Sequence, residues 1–121
     1  MFELEIEAVF SAAHSLEMNG AREPLHGHDW RVTVWVAGET LNEDGLLCDF
    51  HPVKGCLDRI VERFDTRNLN ETPPFDRVNP TAERVAEHIH AEVTATMPES
   101  LRVRKVRVTE SPGCAAVYRP V

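Results

Sequence analysis

Positive charge is scarce in this chain: 13 Lys and Arg stand against 20 Asp and Glu, a formal net charge of −7. Nucleic acid and anionic membrane surfaces both demand clustered Lys and Arg, so the balance argues against either partner. Cysteine is scarce too. Cys48, Cys56 and Cys114 are odd in number and have no CxxC spacing, which fits a reduced, cytoplasmic compartment. No apolar run approaches the ~20 residues of a membrane helix. The opening stretch MFELEIEAVF is too acidic and too regularly alternating for a signal peptide. What remains is a chain of 121 residues, 42% hydrophobic and 27% charged, long enough for one domain over 1–121 with a real core.

The patterning along that domain is clear. Phe2, Leu4 and Ile6 alternate with Glu3, Glu5 and Glu7, the period of a half-buried strand. Val32, Val34 and Val36 alternate in DWRVTVWVAGET, with Trp30 among the strand formers. Val53, Leu57, Ile60-Val61 and Phe64 recur at threes and fours, so a helix is expected to begin at Pro52. NETPPFDRVNP is a loop by its prolines and asparagines. A second helix is expected to open at Pro80, with Val85, Ile89 and Val93 at intervals of four. Val103, Val106 and Val108 alternate imperfectly, which points to a bulge. AAVYRPV closes as a strand after the turn SPG. The order β-β-α-α-β-β predicts an α+β domain, a four-stranded antiparallel sheet with two helices on one face. Its bare face and long edges call for a partner, so a homo-oligomer closing into a ring is expected.

The chemistry concentrates in REPLHGHDWRVTVWV. On a strand, His26 and His28 point to the same face, about 7 Å apart. His14 ends the preceding strand, where an antiparallel neighbour brings it within reach. Gly27 between the pair permits close packing or an unusual backbone angle. Three neutral imidazoles with an open fourth position describe a catalytic zinc site; HxH on a strand also arises as a chance surface pair. Spacing alone leaves both readings open.

FSAAHSL, HGHDWRVTVWVAGE, GLLCDF, FDTRNLN, NPTAERVAEHI and VRVTESPGCAAVY follow one another across essentially the whole chain. In order and spacing they resemble the 6-pyruvoyl-tetrahydropterin synthase family, which includes the 6-carboxytetrahydropterin synthases. The resemblance implies the tunnelling fold, in which trimers close a β-barrel and two trimers stack into a hexamer. It implies zinc on His14, His26 and His28, a small-molecule pterin ligand, and Glu110 in VTES as the pterin anchor. A carboxylate suits that role because it accepts two parallel hydrogen bonds from a ring N–H and an amino group; by position alone, Glu110 reads equally as a solvated acid. Thr81 either caps the second helix or, by the resemblance, contacts the pterin.

The pattern departs from the family at the proton-transfer residues. Synthases of the family place a cysteine base four residues before HGH and an Asp-His pair in LDHxxLN. Here Arg22 and Thr66 stand at the cysteine and histidine positions, and only Asp65 is kept. Arginine stays protonated and threonine does not shuttle protons near neutral pH. Glu23, in EPLHGH, resembles a branch of the family in which glutamate replaces the cysteine and the product is a 6-hydroxymethyl pterin. A carboxylate there serves as a base if burial raises its pKa; otherwise Glu23 is a loop acid beside Pro24. The expected activity is a zinc-dependent lyase acting on 7,8-dihydroneopterin triphosphate or a relative, with Glu23 and Asp65 catalytic. The alternatives are a homologue that binds a pterin-like ligand through Glu110 without synthase chemistry, and a scaffold whose ring is its function. Cys48 and Cys56 read as packing residues, and Cys114 has no assigned role. His51 beside Asp49 reads as a helix-start residue or a substitute for the missing triad histidine. His88 and His90, two apart on a helix, diverge.

Overall fold

The computed structural model describes residues 1–121. Strand β1 spans Phe2–His14; β2 (Glu17–Met18) and β3 (Ala21–Arg22) form a small antiparallel ribbon; β4 spans His26–Gly38. Then follow α1 (Phe50–Glu62), β5 (Arg67–Asn68), α2 (Ala82–Thr94), β6 (Arg102–Ser111) and β7 (Cys114–Tyr118). The main sheet has the order β5-β1-β4-β6-β7. Its four long strands are the antiparallel set that alternation predicts. The fifth, β5, pairs in parallel with Ala12 and Ala13 of β1 and is too short to leave a periodic signal.

β1 and β4 pair along their whole length, from Phe2 opposite Gly38 to His14 opposite His26. Because side chains alternate across a pleated strand, one parity builds the core. Ile6, Ala8, Phe10 and Ala12 lie beside Trp30, Val32, Val34 and Val36, all buried. Leu57, Ile60 and Val61 of α1 and Val85, Ile89 and Val93 of α2 cover them. Phe10 stacks on Trp30 with ring centroids 5.7 Å apart. Each large side chain fully buried here contributes roughly 1.5–3 kcal/mol.

The expected bulge in β6 is present. Lys105 pairs with Trp35 but Val103 with Val36, so Arg104 is the extra residue. In a regular strand Val103 and Val106 would face opposite sides; the added residue restores Val103 to the core, where both are buried.

The opposite face is charged rather than apolar. Trp35 Nε1 donates to Glu5 Oε1 at 2.7 Å, and Lys105 Nζ lies 4.4 Å from the Trp35 ring centroid. Arg31 reaches Glu7 at 3.5 Å, and Arg104 reaches Glu3 at 3.7 Å. That face therefore tolerates water, and of the two grounds for expecting a partner only the strand edges remain. On the β1 edge, Lys54 Nζ donates to the Glu7 carbonyl at 2.8 Å, blunting one exposed acceptor.

Both helix starts differ by two residues from the proline positions. α1 begins at Phe50 because the Asp49 carboxylate accepts the His51 N–H at 3.0 Å. α2 begins at Ala82 because Thr81 Oγ1 accepts the Arg84 N–H at 3.1 Å. In each case the cap, not the proline, sets the boundary. No helix is long and apolar enough to cross a membrane.

Candidate metal centre

The parity that fills the core runs on into the histidines. His14 ends the β1 stripe, and His28 and His26 extend the β4 stripe beyond Trp30, with His14 directly opposite His26. The three imidazoles therefore sit at one end of the helix-covered face. Their ring centroids are 4.8 Å (His14–His26), 5.1 Å (His14–His28) and 4.8 Å (His26–His28) apart, with planes nearly perpendicular. Trp30 closes the floor, edge to His14 at 4.9 Å and to His28 at 5.7 Å.

Backbone carbonyls fix two of the tautomers. His14 Nδ1 lies 2.8 Å from the Pro80 carbonyl and His26 Nδ1 lies 2.9 Å from that of Pro24. A carbonyl only accepts, so each Nδ1 carries a proton, and in the neutral imidazole each Nε2 presents a lone pair. A second bulge in β6, between Thr109 and Ser111, leaves Glu110 out of the ladder with β7. Its Oε1 stands 3.1 Å from His14 Nε2 and 2.9 Å from His28 Nε2. His28 Nε2 is buried and makes no hydrogen bond, so the short approach to Glu110 is out of line for one. Burial holds the His28 imidazole below its ordinary pKa; Glu110 opposes that shift, and His14 and His26 add to it.

A carboxylate oxygen facing imidazole lone pairs is repulsive unless a cation lies between them. The four donor atoms, from His14, His26, His28 and Glu110, lie within 4.8 Å of one another. Nitrogen and carboxylate donors with carbonyl-oriented imidazoles are the set that zinc takes, so these residues fit the metal.

Around this centre the expected site residues divide. Glu23 is close: its Oε1 lies 3.7 Å from His26 Nε2 and accepts the Leu16 N–H at 3.0 Å. Arg22 is exposed, with one guanidinium nitrogen 3.4 Å from the Ser15 carbonyl and another 3.7 Å from Glu17 Oε2. Asp65 stands outside the cluster on the β1 edge, where its Oδ1 accepts the Ser11 N–H at 2.8 Å. Thr66 next to it donates its N–H to the Ser11 carbonyl at 2.6 Å. Its φ of 60° is left-handed, a strain of about 1–3 kcal/mol for a β-branched residue. Thr81 is seen as the cap of α2.

Gly27 has neither property expected of it. Its φ is not left-handed, and an added Cβ would meet nothing nearer than the Ala12 carbonyl at 4.0 Å. His51 is exposed and hydrogen-bonded to Asp49 at 2.9 Å, in the first turn of α1. His88 and His90 do diverge, His88 packing against Phe64 and Phe75 and His90 bonding the Val103 carbonyl at 2.9 Å.

Two positioning residues escaped the sequence reading. Asn70 accepts the Ser15 N–H and donates to the Ser15 carbonyl, both at 2.8 Å. Asn79 does the same for Glu17 at 2.9 and 3.0 Å. Together they lash the loop that ends in Pro80 to the segment after His14. In sequence they read only as turn formers, since their partners lie more than fifty residues away.

Fold and site together define an α+β tunnelling-fold protein with a three-histidine, one-carboxylate centre able to hold a metal. The family model for 6-pyruvoyl tetrahydropterin synthase matches residues 3–121. The chain is 36% identical over 129 aligned positions to the 6-carboxy-5,6,7,8-tetrahydropterin synthase of Bacillus subtilis, covering 98% of this chain and 86% of that one. It is 32% identical over 103 positions to the dihydroneopterin monophosphate aldolase of Pyrococcus furiosus, covering 85% and 84%. The solved structure of Caenorhabditis elegans 6-pyruvoyl tetrahydropterin synthase superposes with a TM-score of 0.87 at 23% identity, covering 99% of this chain and 96% of that one. The chain belongs to the 6-pyruvoyl tetrahydropterin synthase family and is one of its pterin-pathway members.

Proposed function

We propose that this protein is a zinc-dependent carbon–carbon lyase acting on the phosphorylated side chain of a 7,8-dihydroneopterin, with Glu23 as the base. The observation that carries the reading is the position of Glu23, 3.7 Å from His26 Nε2 and one residue beyond the place where synthases of the family hold a cysteine. An aldolase among the relatives provides a precedent for cleavage, and Arg22 and Thr66, neither of which transfers protons near neutral pH, weigh against the synthase reaction. Arg22, besides, is turned outward.

His14, His26 and His28 would hold the zinc. When bound, zinc supplies Lewis acidity toward the side-chain oxygens of the substrate. Glu110 would accept hydrogen bonds from the pterin's amino group and ring N–H, with Thr81 at the α2 start a secondary contact. Leu16 N–H holds Glu23 Oε1, leaving Oε2 to take the proton from the hydroxyl adjoining the scissile bond. The carbon–carbon electron pair then passes into the ring imine and an aldehyde fragment leaves. Glu23, now protonated, returns its proton to the ring-side carbon, giving the 6-hydroxymethyl pterin. Unpaired edges on β1 and β7 support assembly into a barrel of three copies, two barrels stacking into a hexamer. Asp65, on the β1 edge, would then serve a neighbouring copy.

Mass spectrometry after incubation with 7,8-dihydroneopterin monophosphate and triphosphate tests this. A 6-hydroxymethyl product is expected; a pyruvoyl or carboxy product refutes it. Intact substrate with quenched pterin fluorescence would favour the second reading, a binding homologue, for which the displaced Arg22 and Thr66 speak.

A further inference from the structure

A family zinc site of three histidines leaves its fourth position open, yet here that position has a neighbour. Two donors about 2.0–2.1 Å from a tetrahedral zinc stand ~3.3 Å apart. Glu110 Oε1 is 3.1 Å from His14 Nε2 and 2.9 Å from His28 Nε2, the spacing of a fellow ligand. His14 Nδ1 donates to the Pro80 carbonyl, which turns the other ring nitrogen, Nε2, toward the carboxylate. The Glu110 backbone belongs to a bulge, outside the register that pairs Thr109 with Ala115 and Ser111 with Cys114. Its side chain is 25% exposed, so a ligand can reach it and the carboxylate has room to turn.

We propose that Glu110 is a displaceable fourth ligand, closing the metal centre in the free protein and leaving it when a pterin takes its carboxylate. The inference rests on the pterin reading above. With Oε1 turned to the histidines, only Oε2 remains for two converging pterin donors; engaging both turns the carboxylate out of the centre. The metal–oxygen bond lost is replaced by two hydrogen bonds to the pterin. The centre loses one negative charge at the moment a substrate side chain arrives. Binding of the ring thus opens the Lewis acid, and solvent anions are kept off it until then.

Cobalt(II) substitution tests this without turnover. Wild-type protein should give a cobalt spectrum that azide does not alter, and 6-methyl-7,8-dihydropterin, which lacks the cleavable side chain, should make it azide-sensitive. Glu110→Ala and Glu110→Gln should both be azide-sensitive without any pterin, and should bind cobalt about 10-fold or more weakly. Identical azide response in wild type and both variants overturns the proposal. So does a pterin that binds, by fluorescence quenching, yet leaves the wild-type spectrum closed; that outcome spares the pterin reading. A protein closed by Glu110 that binds no pterin overturns the exchange and the pterin reading together.

Discussion

Replacing Glu23 separates catalysis from structure because its backbone and side chain are held by different bonds. The backbone is tied to the segment after His14: Glu23 N–H donates to the Leu16 carbonyl at 3.0 Å, and Ser15 Oγ donates to the Glu23 carbonyl at 2.5 Å. The side chain adds one bond, from Leu16 N–H to Oε1 at 3.0 Å. Glu23→Gln keeps a carbonyl acceptor for that donor and should leave stability unchanged. Glu23→Ala removes it, at a cost of about 1 kcal/mol. If Glu23 is the base, both variants should lower kcat by about 10²–10⁴, a barrier increase of roughly 2.7–5.4 kcal/mol. That exceeds the structural cost severalfold, so the two effects do not overlap. Single-turnover product formation by mass spectrometry, with urea midpoints and zinc content measured on the same samples, reads them apart. A Glu23→Gln protein within tenfold of wild-type kcat would refute the assignment. So would a loss of rate that tracks a loss of zinc.

Protein purified without chelator should carry about one zinc per chain, lost in His26→Ala; zinc at background that added metal does not restore would reject the three-histidine site. Chelation should lower the Tm, by an amount that reverses with added zinc. Sedimentation at micromolar concentration should show a species of about six chains, and a stable monomer would contradict the edge argument. His88 is held below its ordinary pKa of 6.5, first by burial and further by Arg63, with Glu92 opposing. A histidine held neutral by folding takes up protons more readily when unfolded, so its contribution is complete above 6.5 and is lost as pH falls through the depressed value. Urea midpoints of the zinc-loaded protein should therefore fall below pH 6.5 more steeply in wild type than in His88→Leu; equal slopes would show that His88 is not responsible.

The three strands and two helices of the core were legible in the sequence because burial on one face imposes a period of two or of about 3.6. Even the bulge at Arg104 showed, as a break in the Val103, Val106, Val108 alternation. His14, His26 and His28 were legible for the same reason: they continue the parity of Phe10, Ala12 and Trp30, so a register that buries the tryptophan must also converge the imidazoles. Helix starts were displaced because proline only tolerates a first turn, whereas the Asp49 and Thr81 side chains supply acceptors that end the search for one. Other features have no local signature. Whether Glu110 faces the histidines depends on a one-residue bulge whose presence is set by pairing with β7. Asn70 and Asn79 look like any loop asparagines until the chain returns to lay Ser15 and Glu17 beside them. Sequence alone thus determined the periodic elements and the shared face of His26 and His28, since those follow from side-chain alternation within a strand. Only the tertiary structure decided the fourth donor, the carbonyls that set the histidine tautomers and the outward turn of Arg22, because each rests on contacts between segments whose meeting no local period encodes.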